Sequence, residues 1–62
     1  MIMYVKTPNQ GTLNLRDRPD TKGMVLTKIP NGAILETKIE GDWAKVTYNS
    51  ETGYVMAKYL TD

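Results

Sequence analysis

Apolar and polar residues alternate over short segments of this chain, and clusters of glycine, proline, asparagine and aspartate separate the segments. A period of two is typical of β-strands with one buried face, and the clusters are typical of turns. No segment sustains the i, i+3, i+4, i+7 apolar spacing of an amphipathic helix. The pattern therefore predicts strands over residues 3–7, 12–16, 24–29, 33–39, 43–48 and 53–56, and one helical turn over residues 57–59.

The segment over residues 12–16 shows the alternation most clearly. Leu13 and Leu15 fall on one face of the predicted strand, and Asn14 and Arg16 fall on the other. A polar loop over residues 17–23 follows the strand. This segment therefore combines two anchors for a core with an amide and a guanidinium that point to solvent.

The apolar positions on the inner faces of the strands define a small expected core. They are Val5, Leu13, Leu15, Val25, Ile29, Leu35, Ile39, Val46, Val55 and Leu60. Sixty-two residues allow one domain with one core, so we expect a single domain over residues 1–62. A closed barrel pairs most backbone groups and leaves few strand edges, so the sequence predicts a small all-β barrel.

Composition narrows the classes of function. The chain has no cysteine and no histidine, which removes the thiolate metal site, the commonest general base and the commonest metal ligand. No two carboxylates form a recognisable acid–base pair, so we expect no catalysis and no cofactor or metal. The net charge of +1 gives no argument for a nucleic-acid partner.

The chain also lacks targeting features. No apolar run approaches the ~18 residues of a membrane span, and no charged n-region precedes an apolar stretch at the N-terminus. We therefore expect a soluble domain without a membrane partner or an export signal of its own. The expected location is the cell wall or the exterior for a module of an exported enzyme, and the cytoplasm for a stand-alone chain.

Four motifs in order and spacing resemble those of bacterial Src-homology-3 (SH3) domains. The first, Leu13-Asn14-Leu15-Arg16-x-x-Pro19, is similar to the family signature Leu-Asn-Val-Arg-x-x-Pro. The others are Ile29-x-x-Gly32, Gly41-x-Trp43-x-Lys45-Val46 and Gly53-Tyr54-Val55-x-x-x-Tyr59-Leu60. One departure is Arg18, where the family most often has a small residue. The resemblance covers nearly the whole chain.

The resemblance implies a five- to six-stranded SH3-like β-barrel with one short helical turn near the C-terminus and no catalysis of its own. Such domains are commonly appended to cell-wall hydrolases, amidases, peptidases and phage endolysins, which they tether to peptidoglycan or its peptide bridges. Others occur in proteins without a cell-wall role. Two hypotheses follow: a module that targets peptidoglycan or a cell-wall peptide, and an interaction domain that binds a bacterial or phage protein or peptide partner.

A ligand poor in side chains requires hydrogen-bonding groups and aromatic walls in a narrow groove. Arg16 either contacts a ligand carboxylate or holds its own loop, and Trp43 is either a lid over the barrel or a ligand platform. Proline-helix recognition of the eukaryotic kind is not expected, because Met56 stands where that groove needs a proline. The candidate ligand-binding residues are Asn14, Arg16, Asp20, Trp43, Tyr54 and Tyr59.

Overall fold

Short strands joined by tight turns build the whole protein, and the computed structural model describes all 62 residues. The strands are β1 (Ile2–Val5), β2 (Thr12–Arg16), β3 (Val25–Pro30), β4 (Ile34–Glu40), β5 (Trp43–Tyr48), β6 (Glu51–Met56) and β7 (Leu60–Thr61). Two single turns of 3-10 helix, Pro8–Gln10 and Ala57–Tyr59, complete the secondary structure. No helix has the length and apolar character needed to cross a membrane.

All seven strands belong to one antiparallel sheet in the order β3-β2-β6-β5-β4-β1-β7. Laid flat at the usual strand spacing, such a sheet would be about 29 Å wide. The molecule measures only 23 × 22 × 22 Å, so the sheet curls around its own core. The predicted all-β fold is confirmed. The strand count is seven because Leu60 and Thr61 pair with β1 as a short additional strand.

The core is a single cluster to which six of the strands contribute. Its buried apolar members are Val5, Leu13, Leu15, Ile29, Leu35, Ala44, Val46 and Val55. All of them except Ala44 are predicted by the alternation of the sequence. Leu60, also predicted, is partly buried against the cluster.

Val25 is not in the core, although its position in the apolar pattern predicts burial. The ladder pairs Leu15 with Thr27 and Arg16 with Val25, which leaves Leu26 as the extra residue of a β-bulge. Paired residues of an antiparallel ladder share a face, so the bulge moves Val25 to the outer face beside Arg16. Val25 is 40% exposed, and its predicted burial is wrong.

Ile39 is also exposed, at 42%, where the pattern predicts burial. It follows the inward-facing Leu35 and Thr37 along β4. The pairing of β4 with β1 ends at Thr37, whose N–H donates to the Met1 carbonyl oxygen (2.7 Å). Ile39 therefore has β5 on one side and no strand on the other, which leaves it partly exposed.

The turn between β5 and β6 is tighter than the sequence predicts. Asn49 and Ser50 both have positive φ, and Tyr48 pairs with Glu51. This is the φ pattern of a two-residue type I′ hairpin turn. Gly53, predicted as the first residue of its strand, is instead the third residue of β6 and is buried.

Candidate ligand-binding site

The loop after β2 is fastened by its own hydrogen bonds. The Asp17 N–H donates to the Met24 carbonyl oxygen (3.0 Å), and the Met24 N–H donates to Asp17 Oδ1 (2.8 Å). Asp20 Oδ1 accepts the Lys22 N–H (2.9 Å). Arg18 has no positive φ, so the loop accepts an arginine where the resemblance leads one to expect a small residue. These hydrogen bonds fix the conformation of the loop.

Arg16 ties this loop to the strand before it. Its Nη1 donates to the Gly23 carbonyl oxygen (3.0 Å) from a half-buried position. Gly23 is packed so closely that an added Cβ would lie 3.0 Å from Asp17 Oδ1 and 3.1 Å from the Asp20 carbonyl oxygen. The hydrogen bond to Gly23 therefore supports the interpretation in which Arg16 holds its own loop.

Replacing Arg16 with alanine is expected to lower the free energy of unfolding by about 1–3 kcal/mol, because the Gly23 carbonyl loses a charged donor. Urea denaturation of both proteins measures the difference. Arg18→Ala is the matched control, since the Arg18 side chain is 64% exposed, its hydrogen bond to the Lys22 carbonyl oxygen is long (3.4 Å), and its nearest carboxylate oxygen, on Asp17, is 3.8 Å away. We expect the control to change stability by less than about 0.5 kcal/mol. Equal midpoints for the native protein and Arg16→Ala would contradict the loop-holding role.

Two turns meet next to this loop. The Ala57 N–H donates to the Asp42 carbonyl oxygen (2.9 Å), which fastens the C-terminal 3-10 turn to the β4–β5 turn. Trp43 follows that turn as the first residue of β5 and pairs with Met56, the last residue of β6. Trp43 and Met56 are both half-buried, while Ala44 is fully buried on the opposite face. The two side chains therefore stand together on the outer face of the sheet.

Two pockets lie on either side of this pair. The first, of about 310 Å³, we call the arginine pocket; its lining residues are Thr7, Pro8, Gly11, Thr12, Leu13, Asn14, Arg16, Trp43, Met56 and Tyr59. The second, of about 470 Å³, we call the acidic pocket; its lining residues are Pro19, Asp20, Thr21, Gly41, Asp42, Trp43, Met56, Ala57 and Lys58. Trp43 and Met56 belong to both pockets and form the wall between them.

The structure brings most of the predicted site residues together. Asn14, Arg16, Trp43 and Tyr59 all line the arginine pocket. Asp20 lines the acidic pocket, which Trp43 also lines. Tyr54 lines neither pocket: it pairs with Arg16 of β2 and with Lys45 of β5, farther along the outer face of the sheet.

The sequence pattern does not identify Met56 as part of the site. The signal that would have found it is the two-residue turn at Asn49 and Ser50. That turn fixes the register of the hairpin, and counting outward from it places Met56 opposite Trp43. Asp42 and Lys58 are also not identified, because they lie on turns whose relative positions depend on how the whole sheet curls.

The two pockets differ in charge. Arg16 is the one charged residue of the arginine pocket, whose other polar side chains are threonines, an asparagine and a tyrosine. The acidic pocket holds two carboxylates, Asp20 and Asp42, and one ammonium group, Lys58. The Lys58 Nζ atom lies 5.2 Å from the centroid of the Tyr59 ring. The arrangement provides hydrogen-bonding groups on both sides of an aromatic wall, as a site for an extended polar ligand requires.

Comparison with known proteins agrees with the motifs. Residues 11–61 match the family of bacterial SH3 domains. The chain is 43% identical over 53 residues to the probable endopeptidase p60 of Listeria innocua serovar 6a. It is 40% identical to that of Listeria monocytogenes serovar 1/2a and 36% identical to that of Listeria grayi, each over 53 residues. Each alignment covers 81% of this chain, which spans only about a tenth of the length of these curated relatives. With a family match over most of its length, the chain belongs to the bacterial SH3 domain family.

Proposed function

We propose that this domain is a non-catalytic binding module that targets peptidoglycan or its peptide bridges. Bacterial SH3 domains are commonly appended to peptidases and other wall-degrading enzymes, and the relatives named above are probable endopeptidases. The observation that carries the proposal is the outward wall of Trp43 and Met56, which has an open pocket on each side. Since the chain has no histidine and no cysteine, it lacks the commonest catalytic base and the thiolate nucleophile.

The chemistry of the pockets fits a peptide with few side chains. Such a ligand is recognised mainly through its backbone amides, which need donors and acceptors at fixed positions. Asn14 and Thr12 line the arginine pocket and offer an amide and a hydroxyl, and the Thr7 hydroxyl, which donates to the Gly11 carbonyl oxygen (2.8 Å), offers its acceptor side. Trp43 and Tyr59 give this pocket apolar faces on which a peptide plane packs.

A site of this size is expected to bind weakly. Micromolar affinity corresponds to about 8 kcal/mol, which a few hydrogen bonds and one or two aromatic contacts supply. A cell wall presents many copies of the same peptide at high local density. A weak site then gives useful retention wherever several domains, or a domain and an attached enzyme, engage the wall together.

The test is sedimentation with purified wall sacculi. A fluorescent fusion of the domain is mixed with sacculi from several Gram-positive species and centrifuged, and the fluorescent protein alone serves as the control. We expect the fusion to pellet with at least one type of sacculus, and the control to remain in the supernatant. A fusion that stays in the supernatant with every type would refute the wall-targeting function, and binding to a bacterial or phage protein would replace it.

A further inference from the structure

The arginine pocket contains a cation whose hydrogen-bond donors are mostly not used by other groups of the protein. The guanidinium of Arg16 carries five N–H donors, and within the chain only one hydrogen bond uses them, from Nη1 to the Gly23 carbonyl oxygen. Arg16 forms no ion pair: the two in the molecule join Met1 to Glu36 and Arg18 to Asp17. The remaining donors belong to a side chain that one bond already holds in place.

The surroundings of Arg16 favour an anion as its partner. No acidic residue lines the arginine pocket, so nothing in the pocket competes for the guanidinium. A planar guanidinium matches the two oxygens of a carboxylate, and charge-assisted bonds of this kind are about twice as strong as neutral ones. Because the side chain is half-buried and fixed to Gly23, less rotamer freedom is lost when a carboxylate binds.

The acidic pocket on the other side of the wall favours one orientation of a bound peptide. Asp20 and Asp42 line that pocket with a single cation, Lys58, so its net charge is negative and disfavours a carboxylate placed there. A peptide of three to five residues is roughly 10–17 Å long when extended, a large part of the 22 Å width of the domain. A peptide that crosses the wall of Trp43 and Met56 therefore has its carboxyl end beside Arg16.

We propose that the arginine pocket recognises the free C-terminal carboxylate of a short peptide, with Arg16 as the residue that binds it. This inference rests on the proposed function, which it makes more specific. On a cell wall, free carboxyl ends belong to peptide strands that are not cross-linked at that end. The domain would then favour such strands over cross-linked ones, whose terminal carboxyl is consumed in an amide bond.

The first experiment uses soluble peptides without side chains. N-acetyl-tetraglycine and its C-terminal amide are titrated into the ¹⁵N-labelled domain, and the shifts of amide signals in the arginine pocket are followed. We expect the free acid to bind about tenfold more tightly than the amide, because a charge-assisted pair replaces a neutral contact. Equal affinities for the two peptides, or no shifts with either, would overturn the inference.

Arg16→Gln and Arg18→Gln form a matched pair of variants for this titration. Glutamine at position 16 removes the charge and keeps N–H donors on a polar side chain that ends two bonds short of the Nη1 atom of arginine. Arg18→Gln removes the same charge from an arginine that lines neither pocket. We expect the preference for the free acid to vanish in Arg16→Gln and to persist in Arg18→Gln. Loss of the preference in both variants, or in neither, would show that Arg16 is not the recognising residue.

Chemical capping of the wall separates this inference from the proposed function. Sacculi are treated with a carbodiimide and ethanolamine, which converts their free carboxylates to amides, and the sedimentation is repeated. We expect the pelleted fraction of the native domain to fall strongly on capped sacculi. Undiminished pelleting would overturn the carboxylate inference and leave the wall-targeting function standing. If the domain pellets with no sacculi at all, the wall-targeting function fails, and the peptide titration alone decides the carboxylate inference.

Discussion

Replacing Gly53 with alanine is expected to lower the free energy of unfolding by about 2–3 kcal/mol. A Cβ at this position would lie 2.5 Å from the Arg16 carbonyl oxygen and 3.0 Å from Leu15 Cδ1. The first of these atoms is backbone and cannot rotate away, so β2 and β6 must separate where Arg16 pairs with Tyr54. For a domain of this size, the melting midpoint should fall by roughly 10–20 °C, measured by circular dichroism.

Gly11→Ala is the matched control for this substitution. A Cβ there meets nothing closer than the Pro8 carbonyl oxygen at 3.6 Å, and φ is −75°, which any residue adopts. We expect its stability to change by less than about 1 kcal/mol, with stabilisation if the loss of chain freedom in the unfolded state dominates. Similar melting points for the two variants would mean that β2 and β6 are not in close contact at Gly53.

Gly53 illustrates what the sequence does and does not predict. Val46, which pairs with Gly53, and Val55, two residues after it, are predicted correctly as core residues. The alternation that predicts their burial is a local property of each strand. Gly53 itself is predicted at the boundary between a turn and the last long strand, since glycine is common in turns. Its actual role depends on β2, which pairs with β6 although the two strands are more than thirty residues apart in the sequence. The close approach of two distant strands cannot be predicted from the local pattern of apolar and polar residues.

The position of Val25 is a second feature that the local pattern of the sequence does not predict. The alternation that places Ile29 in the core would also place Val25 there, but one bulge residue, Leu26, reverses the faces beyond it. A bulge depends on how two strands pair, and neither strand encodes it alone. Exposure of Ile39 likewise depends on where the pairing of β4 with β1 ends.

The candidate site was predictable where it lies on one motif. Asn14 and Arg16 alternate with two core leucines, so their outward orientation follows from the strand itself. The outward orientation of Trp43 follows in the same way, because Trp43 lies three residues before the inward Val46 and therefore on the opposite face of the strand. The convergence of these residues with Tyr59 and Met56 depends on how the whole sheet curls. The binding roles of the six predicted residues remain predictions, which the variants at Arg16 and Trp43 test for those two residues.

Replacing Trp43 with alanine is expected to abolish retention on wall sacculi while the domain stays folded. Trp43 lines both pockets, so its removal merges them and takes away the aromatic face that a bound peptide would cross. Truncation of an aromatic residue at the centre of a binding site typically costs 2 kcal/mol or more, which is about a thirtyfold loss of affinity. From micromolar binding, such a loss leaves a single domain in the supernatant.

The fold should survive because β5 is anchored on its other face by Ala44 and Val46, which are both fully or almost fully buried. Circular dichroism and a well-dispersed NMR spectrum of Trp43→Ala establish this before sedimentation is measured. Tyr4→Ala is the matched control, because Tyr4 is an outward aromatic residue, 43% exposed, that lines neither pocket. We expect Tyr4→Ala to pellet like the native domain. If folded Trp43→Ala pellets equally well, wall binding stands, and the proposal that the ligand crosses the wall formed by Trp43 is wrong.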